Sequence, residues 1–279
     1  MAARSHAGRC KMRVPHQRYT ELGFEDVHSE IREFHAKQQY ALLRQLRSRG
    51  RLLLNVSPEK LLDFIGNELE FWPGLEGEVL LPPPRRTEAA LVRKNSKLGF
   101  SDEEAVPFDV IAQLISDALT YTEFDGTFRH RMYPSGGALY PVEVFLCRLS
   151  PNTPGWTEGE PVYHIRANSR CLEAMCIDEP DDLRGLRDCL SGYDDGIGRP
   201  HFALVYASYL DKVIFKYKYR GYRNSLMEVG SMYQLCDLYS AQFKLRNRVW
   251  AGFHDGHVAS KLRIDMTSML PCVVQFFGK

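Results

Sequence analysis

The chain has 279 residues, with 36 Lys and Arg against 35 Asp and Glu, 44% hydrophobic and 11% aromatic residues, and seven cysteines. This composition excludes whole-chain disorder, collagen and coiled coil, and a formal charge of +1 provides no global attraction for nucleic acid. The length suits one large domain or two modest ones, and no apolar run approaches the roughly 18 residues of a membrane span.

Residues 1–20 read as a basic, flexible tail. Arg4, Arg9, Lys11, Arg13 and Arg18 precede any acid, and no apolar stretch follows them as a secretory signal would require. Residues 21–86 read as an N-terminal helical region and linker. Val27, Ile31, Phe34, Leu42, Leu43 and Leu46 recur at helical spacing up to Gly50. Ser57-Pro58 then offers an N-cap residue followed by Pro at the first helical position, and Leu61, Leu62, Phe64 and Ile65 supply the apolar face of a second helix. Pro82-Pro83-Pro84 cannot continue a helix and favours an extended segment, which places a boundary there.

Residues 87–279 read as the main domain. Pro107 opens a helix with Val110, Ile111, Leu114, Ile115, Ala118 and Leu119 on one face, which predicts packing against a sheet. Val142 to Leu149, Pro161 to Ile165 and Phe202 to Tyr209 read as strands, Tyr222 to Phe243 as a long helix, and Pro271 to Phe277 as a closing strand. Two of these strands meet through a hairpin-length loop, so the expected class is α+β with a mixed or antiparallel sheet. The cysteines (Cys10, Cys147, Cys171, Cys176, Cys189, Cys236 and Cys272) form no Cys-x-x-Cys pair. Neither a disulfide framework nor a zinc ribbon is indicated, and reduced thiols in a cytoplasm fit the pattern.

Four segments are candidates for chemistry. In Arg131-Met132-Tyr133-Pro134-Ser135-Gly136-Gly137-Ala138-Leu139-Tyr140-Pro141, a hydroxyl and two glycines stand between prolines just before a strand. Glycines let backbone N–H groups approach a planar or anionic ligand, and Arg131 adds positive charge; a tight surface turn is the plainer reading. In Phe215-Lys216-Tyr217-Lys218-Tyr219-Arg220-Gly221-Tyr222-Arg223, cations and phenols alternate without an acid. The run suits an active site that stabilises an anion, a stacking platform for nucleic acid, or an edge strand protected by charge. Trp250-Ala251-Gly252-Phe253-His254-Asp255-Gly256-His257 is a small-residue turn whose one histidine pair is weak support for a metal, and no metal is expected. Arg93-Lys94-Asn95-Ser96-Lys97 is a basic segment that suits a phosphate or a solvated linker.

Pro134-Ser135-Gly136-Gly137-Ala138-Leu139-Tyr140-Pro141-Val142-Glu143 resembles the signature of the SagB-type azoline dehydrogenases, a branch of the FMN-dependent nitroreductase superfamily. Lys216-Tyr217 with Arg220-Gly221-Tyr222-Arg223 resembles that branch's Lys-Tyr-x-x-Arg-Gly-Tyr-Arg segment. Agreement continues through Glu143 to Leu149, His201 to Tyr206, Met232-Tyr233-Gln234 and Asn247 to Gly252, closest to the microcin-type members. It is strong over residues 90–279 and weak over the first 85. One departure is Ser231, where many members carry His after Gly and the microcin-type enzymes share the Ser.

The resemblance implies a nitroreductase-like fold with a mixed, mainly antiparallel sheet flanked by helices and an N-terminal helical extension. It implies an FMN enzyme that oxidises thiazolines and oxazolines of a ribosomally made precursor peptide to thiazoles and oxazoles, with dioxygen as final acceptor. It further implies a homodimer beside a YcaO-type cyclodehydratase and an E1-like peptide-binding subunit, with no nucleic acid or membrane. Lys216 and Tyr217 would be catalytic. Arg131, Pro134, Ser135, Gly136, Gly137, Ala138, Tyr140, Arg220, Ala251 and Gly252 would border the flavin, with Arg93 and Ser96 matching a phosphate segment loosely. Aromatising an azoline removes a proton from one ring carbon and a hydride from its neighbour, so such a site needs a base opposite the flavin. The alternatives are a general NAD(P)H-dependent flavin reductase or nitroreductase of the same fold, and a flavin-free scaffold subunit.

Overall fold

The computed structural model describes residues 25–37, 57, 96, 98–124 and 129–279. The basic tail, the second N-terminal helix, the triple-proline boundary and Arg93 lie outside the described residues. The chain divides into two compact units, Met1–Tyr40 with Leu91–Lys279, and Ala41–Ala90. The architecture below is that of the first.

Its centre is a six-stranded antiparallel sheet formed by β3 (Val142–Arg148), β4 (Val162–Arg166), β5 (Cys171–Ala174), β6 (Phe202–Tyr209), β7 (Arg246–Trp250) and β8 (Met269–Gly278), in the order β5-β4-β3-β6-β8-β7. A separate hairpin joins β1 (Tyr121–Phe124) to β2 (Arg129–Arg131). Every residue of β6 is buried because both sheet faces are covered, which is why it reads as an unbroken apolar run instead of an alternation. One face packs under α2 (Phe108–Leu119) and the long α5 (Tyr219–Ser240) through Leu114, Leu146, Tyr206 and Met232. The other is covered by α3 (Leu183–Ser191) and α6 (Asp255–Lys261) through Phe145, Leu190, Val205, Val258 and Phe276. Helix α2 buries Ile111, Leu114, Ile115, Ala118 and Leu119, the expected face, with Pro107 as N-cap.

Helix α1 (Glu25–Lys37) lays Val27 and Ile31 on Val213, Ile214 and Tyr222. Burying two such side chains contributes about 1.5–3 kcal/mol each. Phe34, expected on the same apolar face, is instead 56% exposed. The inward position one turn beyond Ile31 belongs to His35, whose Nδ1 lies 2.6 Å from the Tyr222 hydroxyl, and His28 Nε2 lies 2.9 Å from buried Asp211. Polar pairing thus displaces an aromatic ring from the packed stripe.

The cation and phenol run is not an edge strand. It forms the end of α4 (Asp211–Tyr217), a one-residue corner at Lys218 with φ of 49°, and the first turn of α5. Gly221 makes that corner possible, since a Cβ there would lie 2.8 Å from the Val213 side chain and 2.9 Å from its carbonyl carbon and oxygen. No disulfide forms among the described cysteines, and no described helix is long and apolar enough to cross a membrane.

Candidate functional site

Strand β3 begins at Val142, opposite Ser208 near the end of β6, and Ser208 in turn faces Leu270 near the start of β8. The Pro134 to Pro141 turn therefore lies at this end of the sheet, where α4 also begins. The turn holds three left-handed residues in a row of four: Gly137 (φ 65°), Ala138 (φ 54°) and Tyr140 (φ 48°). Two of them carry a Cβ, so the turn stores strain that its surroundings must hold. Ser135 does this from within, its carbonyl accepting from Ala138 N–H at 3.1 Å and its hydroxyl from Tyr140 N–H at 2.8 Å. Lys212 of α4 holds the exit by donating to the Tyr140 carbonyl at 2.8 Å.

The two strongest sequence candidates meet here. A Cβ built on Gly137 would lie 2.6 Å from Lys216 Nζ and 2.6 Å from the Tyr217 hydroxyl, so both side-chain tips stand against that bare backbone. A Cβ on Gly136 would lie 3.0 Å from Asn224 Nδ2 and 3.6 Å from the Tyr217 ring. Lys216 is exposed and Tyr217 half-buried, while Pro134, Gly136 and Gly137 face outward. The arrangement is an open backbone shelf with an ammonium and a phenol at its rim.

Arg131 borders the shelf. Its guanidinium stacks over the Tyr140 ring at 4.2 Å, donates to the Tyr133 hydroxyl at 2.6 Å, and reaches Asn168 Oδ1 at 3.3 Å. Its Nε is buried without a hydrogen-bond partner. Below lies Glu143, whose carboxylate takes a contact from His164 Nε2 at 2.9 Å and from Lys212 Nζ at 3.4 Å. Burial alone would push Glu143 upward, but the His164 hydrogen bond and the charges of Lys212 and Arg131 outweigh it and hold the group at about 2. Burial pulls the other way on His164, and its two carboxylate neighbours, Glu143 and Glu173, raise it despite that.

Other candidates stand apart within one chain. Ala251 and Gly252 follow β7, three strands or roughly 14 Å from β3, and the Gly252 carbonyl packs on Gly192 after α3. Ser96 is half-buried and precedes Gly99 and Phe100, which hydrogen-bond to Gly196 and Ile197 beyond the opposite end of β6. Arg220 is exposed in the first turn of α5. His254 accepts from His257 N–H and caps α6, and among the described residues no group of three His, Cys, Asp or Glu gathers as a metal site. Ser231 donates to the Met227 carbonyl within α5. No local pattern marks Lys212, Asn224 or Glu228 in the sequence, yet all three touch the turn.

No protein-family model matches the chain. Over 253 residues it is 38% identical to the microcin B17-processing protein McbC of Escherichia coli, spanning 91% of this chain and 90% of that protein. The chain belongs to the family of the microcin B17-processing protein McbC. A solved structure of the E. coli microcin synthetase McbBCD complex with truncated pro-MccB17 bound agrees, with a TM-score of 0.81, 38% identity, and coverage of 94% of this chain and 96% of that one. A nitroreductase-type protein of Ralstonia eutropha, 19% identical over 71% of this chain and 87% of its own, superposes with a TM-score of 0.53 and shows the fold alone. The McbC family thus has a nitroreductase-like α+β fold, and the Gly136-Gly137 shelf with its Lys216-Tyr217 rim lies inside the matched region.

Proposed function

We propose that the chain is the FMN-dependent dehydrogenase of a peptide-maturing synthetase, oxidising CH–CH bonds of thiazolines and oxazolines in a ribosomally made, microcin-like precursor to thiazoles and oxazoles. The observation that carries this reading is the meeting of Lys216 and Tyr217 with the exposed Gly136-Gly137 backbone. Their McbC-family membership gives that meeting its chemical sense.

The residues fit a flavin. A planar ring needs a shelf without side chains and a cation at its edge, and Gly136, Gly137 and half-buried Arg131 with its unpartnered Nε supply both. Pro134, Ser135, Ala138 and Tyr140 would shape the shelf, Arg220, Ala251 and Gly252 would close the site, and Arg93 and Ser96 would take the phosphate. When bound, FMN would supply the acceptor for the hydride of the ring carbon and the outlet of its two electrons to dioxygen. Lys216 or Tyr217 removes the neighbouring proton. Lys216 does so only as the free amine, which requires the bound peptide and flavin to cover a side chain that is exposed in the chain alone, and requires the charges of Arg220 and Arg223 nearby.

The separation of Ala251-Gly252 and Ser96 from the shelf supports a homodimer whose second copy completes the site. So does the exposed stripe of Tyr219, Leu226 and Met227 along α5. A YcaO-type cyclodehydratase and an E1-like peptide-binding subunit would complete the cytoplasmic synthetase. The decisive experiment is the anaerobic visible spectrum of the purified protein before and after a thiazoline peptide is added. A flavin band that bleaches with the peptide supports the reading. A band bleached only by NADH makes the chain a general reductase, and a colourless protein makes it a scaffold subunit.

A further inference from the structure

Beneath the shelf, on the side away from solvent, α5 presents Asn224 and Glu228 one turn apart. Asn224 meets Gly136. Glu228 is only 3% exposed, and its carboxyl stands beside the Ser135 hydroxyl and the N–H of Val142, the first residue of β3, both of which favour its anionic form. Ser135 itself takes the Tyr140 N–H. A polar path therefore runs from the strained end of the turn, through Ser135, to a buried carboxyl on the helix, and Oε1 of that carboxyl has no hydrogen-bond partner. Nothing in a simple surface turn calls for a buried carboxyl placed there, since a serine alone closes it.

We infer that Glu228 is a positioning residue, whose buried carboxyl fixes the Ser135–Tyr140 turn in the shape that receives the flavin. The inference rests on the flavin reading of the shelf and adds a residue that touches neither flavin nor substrate. Around Glu228 stand Arg131 from β2, Tyr133 just before the turn and Lys212 from α4, with Glu143 of β3 near Tyr133. Burial is the largest influence on Glu228 and raises it to about 7; Ser135, Arg131, Val142 and Lys212 offset only part of that. Around neutral pH the turn consequently rests on a group that exchanges between a neutral and an anionic form. The anion places a negative charge under a shelf that is to hold an anionic ligand.

The test is titration of the full-length apoprotein with FMN, followed by flavin fluorescence, for wild type, Glu228→Gln and Glu228→Ala at pH 6 and pH 8. Glu228→Gln keeps an acceptor for Ser135 and stays neutral. It is expected to match wild type at pH 6 and to bind FMN about three- to tenfold tighter than wild type at pH 8, where wild type is ionised. Titration of FMN's own phosphate cancels in that ratio. Glu228→Ala removes the acceptor and is expected to weaken binding about tenfold at both pH values. If Glu228→Ala does not fold, the Gln ratio alone decides. Equal affinities for wild type and Glu228→Gln at both pH values would overturn the inference while leaving the flavin reading intact. A wild-type protein that binds no FMN would overturn both.

Discussion

The strand flank and the helix flank of the Ser135–Tyr140 turn are wired differently. On the strand flank, Glu143 is met by His164 at 2.9 Å and Lys212 at 3.4 Å and is held at about 2. On the helix flank, Glu228 has one oxygen with no partner and is raised to about 7. Glu143 is partly exposed where Glu228 is buried, and Glu143 alone has a cationic partner at contact distance; both differences favour its anion. The strand flank is a closed charge network that fixes the fold. The helix flank keeps its polar groups, Lys216 and Tyr217 included, incompletely committed, as the proposed proton transfer would require.

The largest effects should fall on the helix flank and on rate. Lys216→Ala and Tyr217→Phe are each expected to lower turnover of a thiazoline peptide about 10²- to 10⁴-fold, with little change in melting temperature. A pH–rate profile that keeps both wild-type limbs in both variants would remove the base assignment. On the strand flank the loss should be in stability. Glu143→Ala leaves Lys212 without its carboxylate and His164 with Glu173 alone, and is expected to cost about 1.5–3 kcal/mol in urea unfolding at pH 7. Because Glu143 lies at about 2 when folded against an ordinary 4.5, its contribution is present above that ordinary value and is lost as pH falls toward 2. Glu143→Gln should flatten that acid limb.

Gly221→Ala tests the corner that joins the flanks. Overpacking against Val213 is expected to cost about 1–3 kcal/mol and, by shifting α4 against α5, to lower activity further than the stability loss explains. The smallest effect has the opposite sign. Glu228 keeps its proton in the folded chain up to about 7 but releases it near 4.5 when unfolded, so wild-type stability declines as pH rises between those values. Glu228→Gln should therefore gain about 1 kcal/mol over wild type per pH unit between pH 5 and pH 7, read by thermal unfolding. A flat difference across that range would mean that the two flanks are not wired differently after all.

Legibility followed the same division. Strand β6 spans Phe202–Tyr209 as expected, and β3, β4 and β8 lie within two residues of their expected limits, because buried strands are read directly from apolar runs. Helix α5 begins three residues before the expected Tyr222, since alternating Lys and Tyr from 215 to 223 mimics a strand until Gly221 lets two helices close on Val213. The short elements β1, β2, β5, β7, α3 and α6 carry too little periodicity to stand out.

By itself the sequence determined the class of fold, the four main strands, the turn at Pro134 to Pro141, and Lys216 and Tyr217 as the pair to watch, because those depend on runs and motifs continuous in the chain. Only the tertiary structure decided that this pair stands at Gly137, that His35 takes the inward place expected of Phe34, and that Glu143 and Glu228 flank one turn with proton affinities shifted in opposite directions. Those facts depend on distances between residues far apart in the chain. A carboxyl's proton is set by what packs against it, and no local pattern records that.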